Sequence, residues 1–583
     1  MDDTSIPLRS IRYIPTTLDI IHKFGRLSGG KLNISKTKGI VLKKENAGTH
    51  YGIDCIYNSE KVLGIYIGNK VEIDQIWQEL YEKTDKKLTL WQKRDLSMSG
   101  KVLIIKTLAI SKIIYNLNMQ CFTDVQLEQF NKLLYKFLWN GKQHFISKTI
   151  CEENKINGGL SMPNCLTIKK CVRIQWVLRT LTNHLQSNDR TSTIIPMQYF
   201  KCMDAETNTI LYALRVDSCS DKIQKLKIPQ FYKECITSFQ ELLRKSKTMR
   251  NRNNEIIWDN SDITHNNKVL RNKKWTKRGI LTKQHICIDN KINEQLIKSF
   301  GVNDANFMFD LALLKKAIPQ NWLDMTQSDR TFTIHTDNEE ETTNQIINLI
   351  INQTLKLSED KIRIVAKLTA NEIKQILRNT SISENLMTNK QEYWHEKIGL
   401  QPTQWRHFIS CTSINKLLPR KINDFNLKIV HGGLNTETKL QKMGLNHDNI
   451  CKICKKTVED TKHLLMECEG IPQIWTWAEN IINNYLTNNE QYVISIAEKT
   501  CGYRTFKKTD MQDVITVIVS IIRHEIWKRR CKYRYGNEMV NTDTLLLITK
   551  SSLQRHLKNI RTNIDKNSDK MDNLIKYLTH KPP

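Results

Sequence analysis

A mostly α, multidomain fold is what this sequence predicts, with a small α+β segment at the N-terminus and a helical zinc-binding module at the C-terminus. Three observations carry that expectation. Apolar residues recur at helical spacing, as in Leu127, Phe130, Leu134, Phe137 and Leu138 and again in Val514, Val517, Ile518, Ile521 and Ile522. Short β-branched, glycine-bounded runs fall in roughly the first 75 residues. Finally, Cys451, Cys454, His463 and Cys468 follow the spacing C-x2-C-x8-H-x4-C, which suits one tetrahedral Zn²⁺: two thiolates from a tight knuckle and two donors from the return arm.

The totals bound the function classes. A chain of 583 residues has room for about three or four domains. Its 89 Lys and Arg against 60 Asp and Glu leave a formal charge of +29, enough to attract polyanions at a distance, with nucleic acid the first candidate. The 15 cysteines are spread along the chain with one cluster, which is not the pattern of a disulfide-stapled secreted module. A reducing compartment, nucleus or cytoplasm, is expected. The apolar run Val514 to Ile522, interrupted by Thr516 and Ser520, is far short of the roughly 20 residues that span a bilayer, so no membrane partner is expected. The start, Met1-Asp2-Asp3-Thr4-Ser5, is acidic where a signal peptide would be basic and then apolar.

In the first block, Thr17 to Phe24 reads as a helix, and Gly39-Ile40-Val41-Leu42 and Lys61 to Gly68 read as strands. The order Asp2-Asp3-Thr4, Phe24, Ser28-Gly29-Gly30-Lys31-Leu32-Asn33, Lys36-Thr37 and Leu63-Gly64-Ile65 resembles the back half of the reverse-transcriptase palm in LINE-type non-LTR retrotransposons. The resemblance implies that Asp2 and Asp3 are remnants of the catalytic metal-binding turn, with Met1 where the family has alanine. It implies that Lys36 stands where a lysine assists the leaving pyrophosphate, and that Leu63, Gly64 and Ile65 form a primer-grip-like hairpin. Nucleotidyl transfer needs two divalent ions about 4 Å apart, held by several carboxylates. One acidic turn is insufficient, so Mg²⁺ is expected only in a complete polymerase, and the isolated chain is expected to be inactive.

From Ile76 the pattern is helical, and Thr123 with Gln126 is placed as a capping box. Trp91, Arg94, Leu96, Ser97, Gly100, Lys101, Lys106, Lys112 and Tyr115, then Phe137-Leu138-Trp139-Asn140, Gly158-Gly159-Leu160 and Pro163, are similar in order to the thumb of the same enzymes. Lys93, Arg94, Lys101, Lys106 and Lys112 are then candidates to track the phosphates of an RNA or DNA template-primer; a solvated helix face is the alternative. Between about 190 and 400, Lys273, Lys274 and Arg278 surround Trp275, which could stack on an unpaired base or anchor its helix to the core. The acidic run Asn338-Glu339-Glu340-Glu341 reads as a loop or domain boundary.

The last block, with Glu459, His463, Cys468 and Trp475 after the Cys451 to Cys454 knuckle, looks like the zinc-binding C-terminal module of non-LTR reverse transcriptases. Zinc there is expected to be structural. Pro472 suits the first turn of the helix carrying Trp475 and Trp477. Asp510 is placed to cap a later helix that ends in Lys528, Arg529 and Arg530, cations that complement the macrodipole or contact nucleic-acid backbone. The expected domains are a palm remnant (1–75), a helical thumb (76–190), a helical connector (191–400) and the zinc-binding domain (401–583). The resemblance implies the C-terminal half of a retrotransposon polymerase that works with an N-terminal polymerase and endonuclease part. A standalone, domesticated zinc-dependent nucleic-acid-binding protein and a decayed copy are the alternatives.

Overall fold

The computed structural model describes residues 4–142, 144–186, 191–202, 220–246, 249, 255–260, 262–303, 305–319, 339–358, 361–378, 380–413, 415–487, 491–503, 511–561 and 568–579. Asp2, Asp3 and Asp510 lie outside them. The described chain is mostly α, with one three-stranded sheet and several two-stranded ones, as expected. It forms two compact units, each from three stretches: 1–86, 110–130 and 165–378 in the first, 87–109, 131–164 and 379–583 in the second. The 76–190 stretch thus contributes to both.

In the first unit, strand Lys38–Ile40 pairs in parallel with Ile53–Ile56, which pairs antiparallel with Gly48–His50. Gly39 faces Cys55 so closely that a Cβ would lie 2.6 Å from its Sγ, which restricts that position to glycine. A small core of Ile14, Val41, Ile53 and Cys55 backs the sheet. The helix Ile14–Ser28 buries only Ile14, and Ile20, Phe24 and Leu27 are 62%, 69% and 90% exposed. The run Lys61 to Gly68 is not one strand: Ser59–Val62 and Ile65–Gly68 form a hairpin, because Leu63 and Gly64, with φ of 49° and 84°, turn the chain as in a two-residue type I′ turn. The Tyr115 hydroxyl donates to the Leu63 carbonyl and holds the branched Leu63 in its left-handed backbone.

The spine of this unit is the 22-residue helix Cys165–Gln186, packed on Gln230–Lys245, Glu339–Ile351 and Ala370–Leu377. Arg173 at its centre is fully buried. Its guanidinium donates to the carbonyls of Leu117 and Gln120 and, from Nε, to Glu234 at 2.9 Å, so it covers the C-terminal carbonyls of the Ser111–Leu117 helix. The Thr123 and Gln126 capping box forms: the Thr123 N–H donates to Gln126 Oε1 at 2.8 Å, and the Gln126 N–H donates to Thr123 Oγ1 at 3.2 Å. Glu339 to Glu341 open a helix, not a loop, because carboxylates are favoured at a helix N-terminus.

Trp275 is fully buried between Trp258 (6.0 Å, edge-on) and Phe307 (5.8 Å, stacked). Its helix starts where the Asn272 side chain accepts the Trp275 N–H at 3.1 Å. Of the two roles open to this tryptophan, the structure realises the core anchor.

In the second unit, Gln512–Gly536, Thr542–Ile560, Ser568–Thr579, Ile471–Tyr485 and Arg420–Val430 pack as a helical group. Pro472 lies in the first turn of Ile471–Tyr485, as its missing N–H allows. Among the described residues, no helix is long and apolar enough to cross a membrane.

Trp275→Ala is expected to lower unfolding free energy by about 3–5 kcal/mol, measured by denaturant titration, because it leaves a large void in a close-packed core.

Candidate metal centre

The centre is built by two short arms. On the first, the Lys455 N–H donates to the Cys451 carbonyl at 2.9 Å and the Cys451 N–H to the Thr457 carbonyl at 2.8 Å, closing a knuckle with Lys455 at φ 57°. Ile450 and Val458 bridge across it. The N–H groups of Ile453 and Cys454 point at the Cys451 sulfur, an arrangement that favours its thiolate. On the second arm, His463–Glu467 forms a single wide π-helical turn, after which the Cys468 N–H donates back to the His463 carbonyl at 2.8 Å. That turn aims the ring of His463 and the sulfur of Cys468 the same way.

The ligand atoms of Cys451, Cys454, His463 and Cys468 all lie within 4.8 Å of one another. Cys451 Sγ and Cys468 Sγ are 3.7 Å apart, and Cys454 Sγ and His463 Nε2 are 3.5 Å apart. A tetrahedron with Zn–S of about 2.3 Å and Zn–N of about 2.05 Å has S···S edges of about 3.8 Å and S···N edges of about 3.6 Å. The protein therefore presents a cage already sized for zinc. A disulfide would need its sulfurs near 2.05 Å. The Thr457 hydroxyl lies 3.0 Å from His463 Nδ1, placed to accept the ring N–H in the tautomer that leaves an Nε2 lone pair for a metal.

Before metal binds, the Cys468 thiol hydrogen-bonds Cys451 and lowers the pKa of Cys451, while that same partnership and burial raise Cys468. Three thiolates and a neutral histidine around Zn²⁺ carry net charge −1. Arg529 answers it: beside Cys468 it favours the thiolate, and it is fixed by donating to the carbonyls of Val540 (2.8 Å) and Glu469 (3.0 Å).

A buried ion-pair network ties the knuckle to the helices around it. Glu459, fully buried, accepts from Arg530 Nε at 3.0 Å and from the Glu437 N–H at 3.0 Å. Arg530 also donates to Glu437 Oε1 at 2.8 Å, as does Arg534 at 2.8 Å, and Asn446 donates to the same carboxylate. Burial raises the pKa of Glu459 despite Arg530. The helix Gln512–Gly536 is thereby fastened to the metal hairpin through charge, while the Trp475 indole donates to the Leu465 carbonyl at 2.7 Å from the other side.

The expected nucleic-acid residues fare differently. Arg529 and Arg530 do not face solvent; both are buried in the network just described, because two carboxylates and an anionic centre inside the domain need cations. Lys528 is exposed and paired with Glu525 at 2.8 Å. Lys101 is buried and donates to the Leu138 carbonyl and Asn140, closing the end of the Asp124–Leu138 helix instead of meeting phosphate. Lys93, Arg94 and Lys106 are exposed in the second unit, with Arg94 over the Trp91 ring at 4.4 Å. In the first unit Lys112 is half-buried beside the Leu63-Gly64 hairpin, Lys273 and Arg278 are half-buried, and Lys274 is exposed. Lys36 is exposed and closes a short 3-10 turn, its N–H donating to Asn33 Oδ1 at 3.2 Å; Ile65 is buried under the hairpin. Thr457 and Glu437 were missed by sequence reasoning, and Arg534, read with its neighbours as a cation for nucleic-acid backbone, is instead bound to Glu437. Thr457 had a signal, a hydroxyl three residues after the second cysteine, but the other two meet Glu459 and its partners only through folding.

Residues 386–475 match the family model described as zinc-binding in reverse transcriptase, and all four ligands fall inside the match. The chain carries a reverse-transcriptase-associated zinc-binding domain.

Purified protein is expected to hold one zinc per chain by elemental analysis, and Cys468→Ser to lose it. Zinc uptake by the metal-free protein should release protons, read with a pH indicator. Arg530→Ala is expected to cost about 3–5 kcal/mol of stability, because it strands the buried Glu459 carboxylate while Glu437 keeps Arg534.

Proposed function

We propose that this chain is the nucleic-acid-holding portion of a LINE-type RNA-directed DNA polymerase, working in cytoplasm and nucleus. The single observation that carries the reading is the zinc cage within a domain that matches the reverse-transcriptase zinc-binding model. The +29 charge supports it, since phosphate backbones are the natural partner of such an excess. The thumb-like motif order and the Leu63-Gly64 type I′ hairpin add to it.

In this reading zinc is a staple: it fixes two arms and, through Glu459, the helices that flank them. Copying RNA into DNA requires two Mg²⁺ held by several carboxylates; a single acidic turn such as Asp2-Asp3 does not hold both, and in this reading the chain acts together with a polymerase segment. The apolar face of Ile14–Ser28, with Ile20, Phe24 and Leu27 exposed, supports a further segment packing there.

Binding to structured RNA should weaken with salt, with a log-log slope that reports how many phosphates the chain neutralises. A chelator or Cys451→Ser should reduce the affinity; affinity unaltered by both would sink the zinc-supported reading. The 583-residue chain alone should give no Mg²⁺-dependent primer extension, and co-expression of a complementary palm segment should restore it. Measurable extension by the chain alone would overturn this expectation.

A further inference from the structure

In the second unit, two open cavities of about 660 and 200 Å³ share Gly141, Lys142 and His144 and so form one groove. One wall presents Lys132, Lys136 and Lys148, and the other Lys439. Among the described residues, no carboxylate lines either cavity. Lys132 and Lys136 are one helical turn apart and exposed, a like-charge pair that costs the helix stability.

Behind the groove the positive charge continues. Burial lowers the pKa of Lys428, and Lys142 lowers it further; burial, Lys390 and Lys428 do the same to Lys439. Asp424 is the carboxylate that offsets Lys428, and it is itself engaged by the Met98 N–H at 2.6 Å. Clustered lysines held partly out of water, with so little acid between them, are an arrangement that an incoming polyanion stabilises.

The groove also has a ring platform. His144 is exposed and lies nearly parallel to Tyr135 (5.4 Å, 25°) and Trp139 (6.1 Å, 28°), both buried. Burial and Lys148 lower the pKa of His144 and so disfavour its charged form. A flat exposed ring backed by two aromatic rings, rimmed by cations, is the combination that holds unpaired bases and their phosphates. Cavities of a few hundred Å³ suit nucleotides of a single strand better than a whole duplex.

Zinc reaches this groove through one link. Lys439 lies on the Glu437–Lys442 helix, whose Glu437 and Thr438 N–H groups donate to the Glu459 side chain and carbonyl at 3.0 and 3.2 Å. The metal hairpin thus places the groove's far wall.

We propose that the groove between residues 132–148 and Lys439 is a binding seat for single-stranded RNA, with Lys132, Lys136, Lys142, Lys148 and Lys439 on the phosphates and His144 under a base. The proposal rests on the reading of the chain as a nucleic-acid binder and assigns that binding to one surface.

The test is fluorescence anisotropy of the full zinc-loaded chain with a labelled oligouridine of about 20 nucleotides and an RNA duplex of about 20 base pairs, across a salt series. Lys136→Ala/Lys142→Ala/Lys439→Ala should weaken oligouridine binding by about 100-fold at about 0.1 M salt and flatten the log-log slope by about 2, roughly 0.7 for each phosphate no longer neutralised. Thermal melting of the triple variant should be unchanged or higher, since like charges have been removed, which separates impaired binding from impaired folding. His144→Ala should weaken oligouridine binding by about 5- to 100-fold with no change in slope, the signature of a missing stack. If the wild-type chain binds oligouridine and the triple variant matches it in affinity and slope, the groove assignment is overturned while the general reading stands. If the wild-type chain binds no RNA, both fall. A wild-type preference for the duplex that the triple variant abolishes would overturn the single-strand assignment.

Discussion

Sulfur anions repel, and three of them in a protein interior are tolerable only around a divalent cation. That constraint organises the C-terminal domain. The cage of Cys451, Cys454, His463 and Cys468 brings together an arm that is mostly turn and an arm that is a single wide helical turn, neither with enough apolar surface to fold by itself. The rest of the domain answers the charge so concentrated. Arg529 lies beside Cys468, and Arg530 and Arg534 neutralise Glu459 and Glu437 where the knuckle meets its supporting helices.

A division of labour among the cations follows. A strongly basic chain invites the assumption that every run of Lys and Arg faces a polyanion, yet the densest run near residue 530 is largely inward-facing. Guanidinium groups, planar and able to bridge two acceptors, occupy the buried positions: Arg173, Arg523, Arg529 and Arg530. Ammonium groups on long stems are left for the surface, where they can follow an irregular backbone. Lys101, Lys169 and Lys283 are buried all the same, and Lys101 is consumed by the end of a helix.

What the sequence made legible was local. The helical spacing at 127–138, the Thr123–Gln126 box, Pro472 at a helix start and the four metal donors within eighteen residues each depend on near neighbours in the chain, and each is found in the structure. Pairings across many residues were not legible. Arg530 meets Glu459 across 71 positions and Glu437 across 93, and nothing in the basic run itself tells an inward guanidinium from an outward one. Trp275 has the same ambiguity: its cationic neighbours suggested a stacking site, but its own indole is sealed between Trp258 and Phe307. The acidic run at 339–341 was misread because polarity alone does not separate a loop from the first turn of a helix.

The interleaving of the two units has a consequence for how the chain is made. Residues 87–109 and 131–164 belong to a body whose remaining part begins at 379, so about 215 residues must be synthesised before those stretches meet their partners. At typical elongation rates of about 5–20 residues per second that is roughly 10–40 seconds, long compared with the collapse of a small domain. Through that interval Trp139, Phe145 and their neighbours leave the ribosome without the unit they will join, and the chain depends on holding chaperones or on slow, late assembly. Biogenesis of this protein is therefore a waiting problem, which ends only once the stretch from residue 379 onward has emerged.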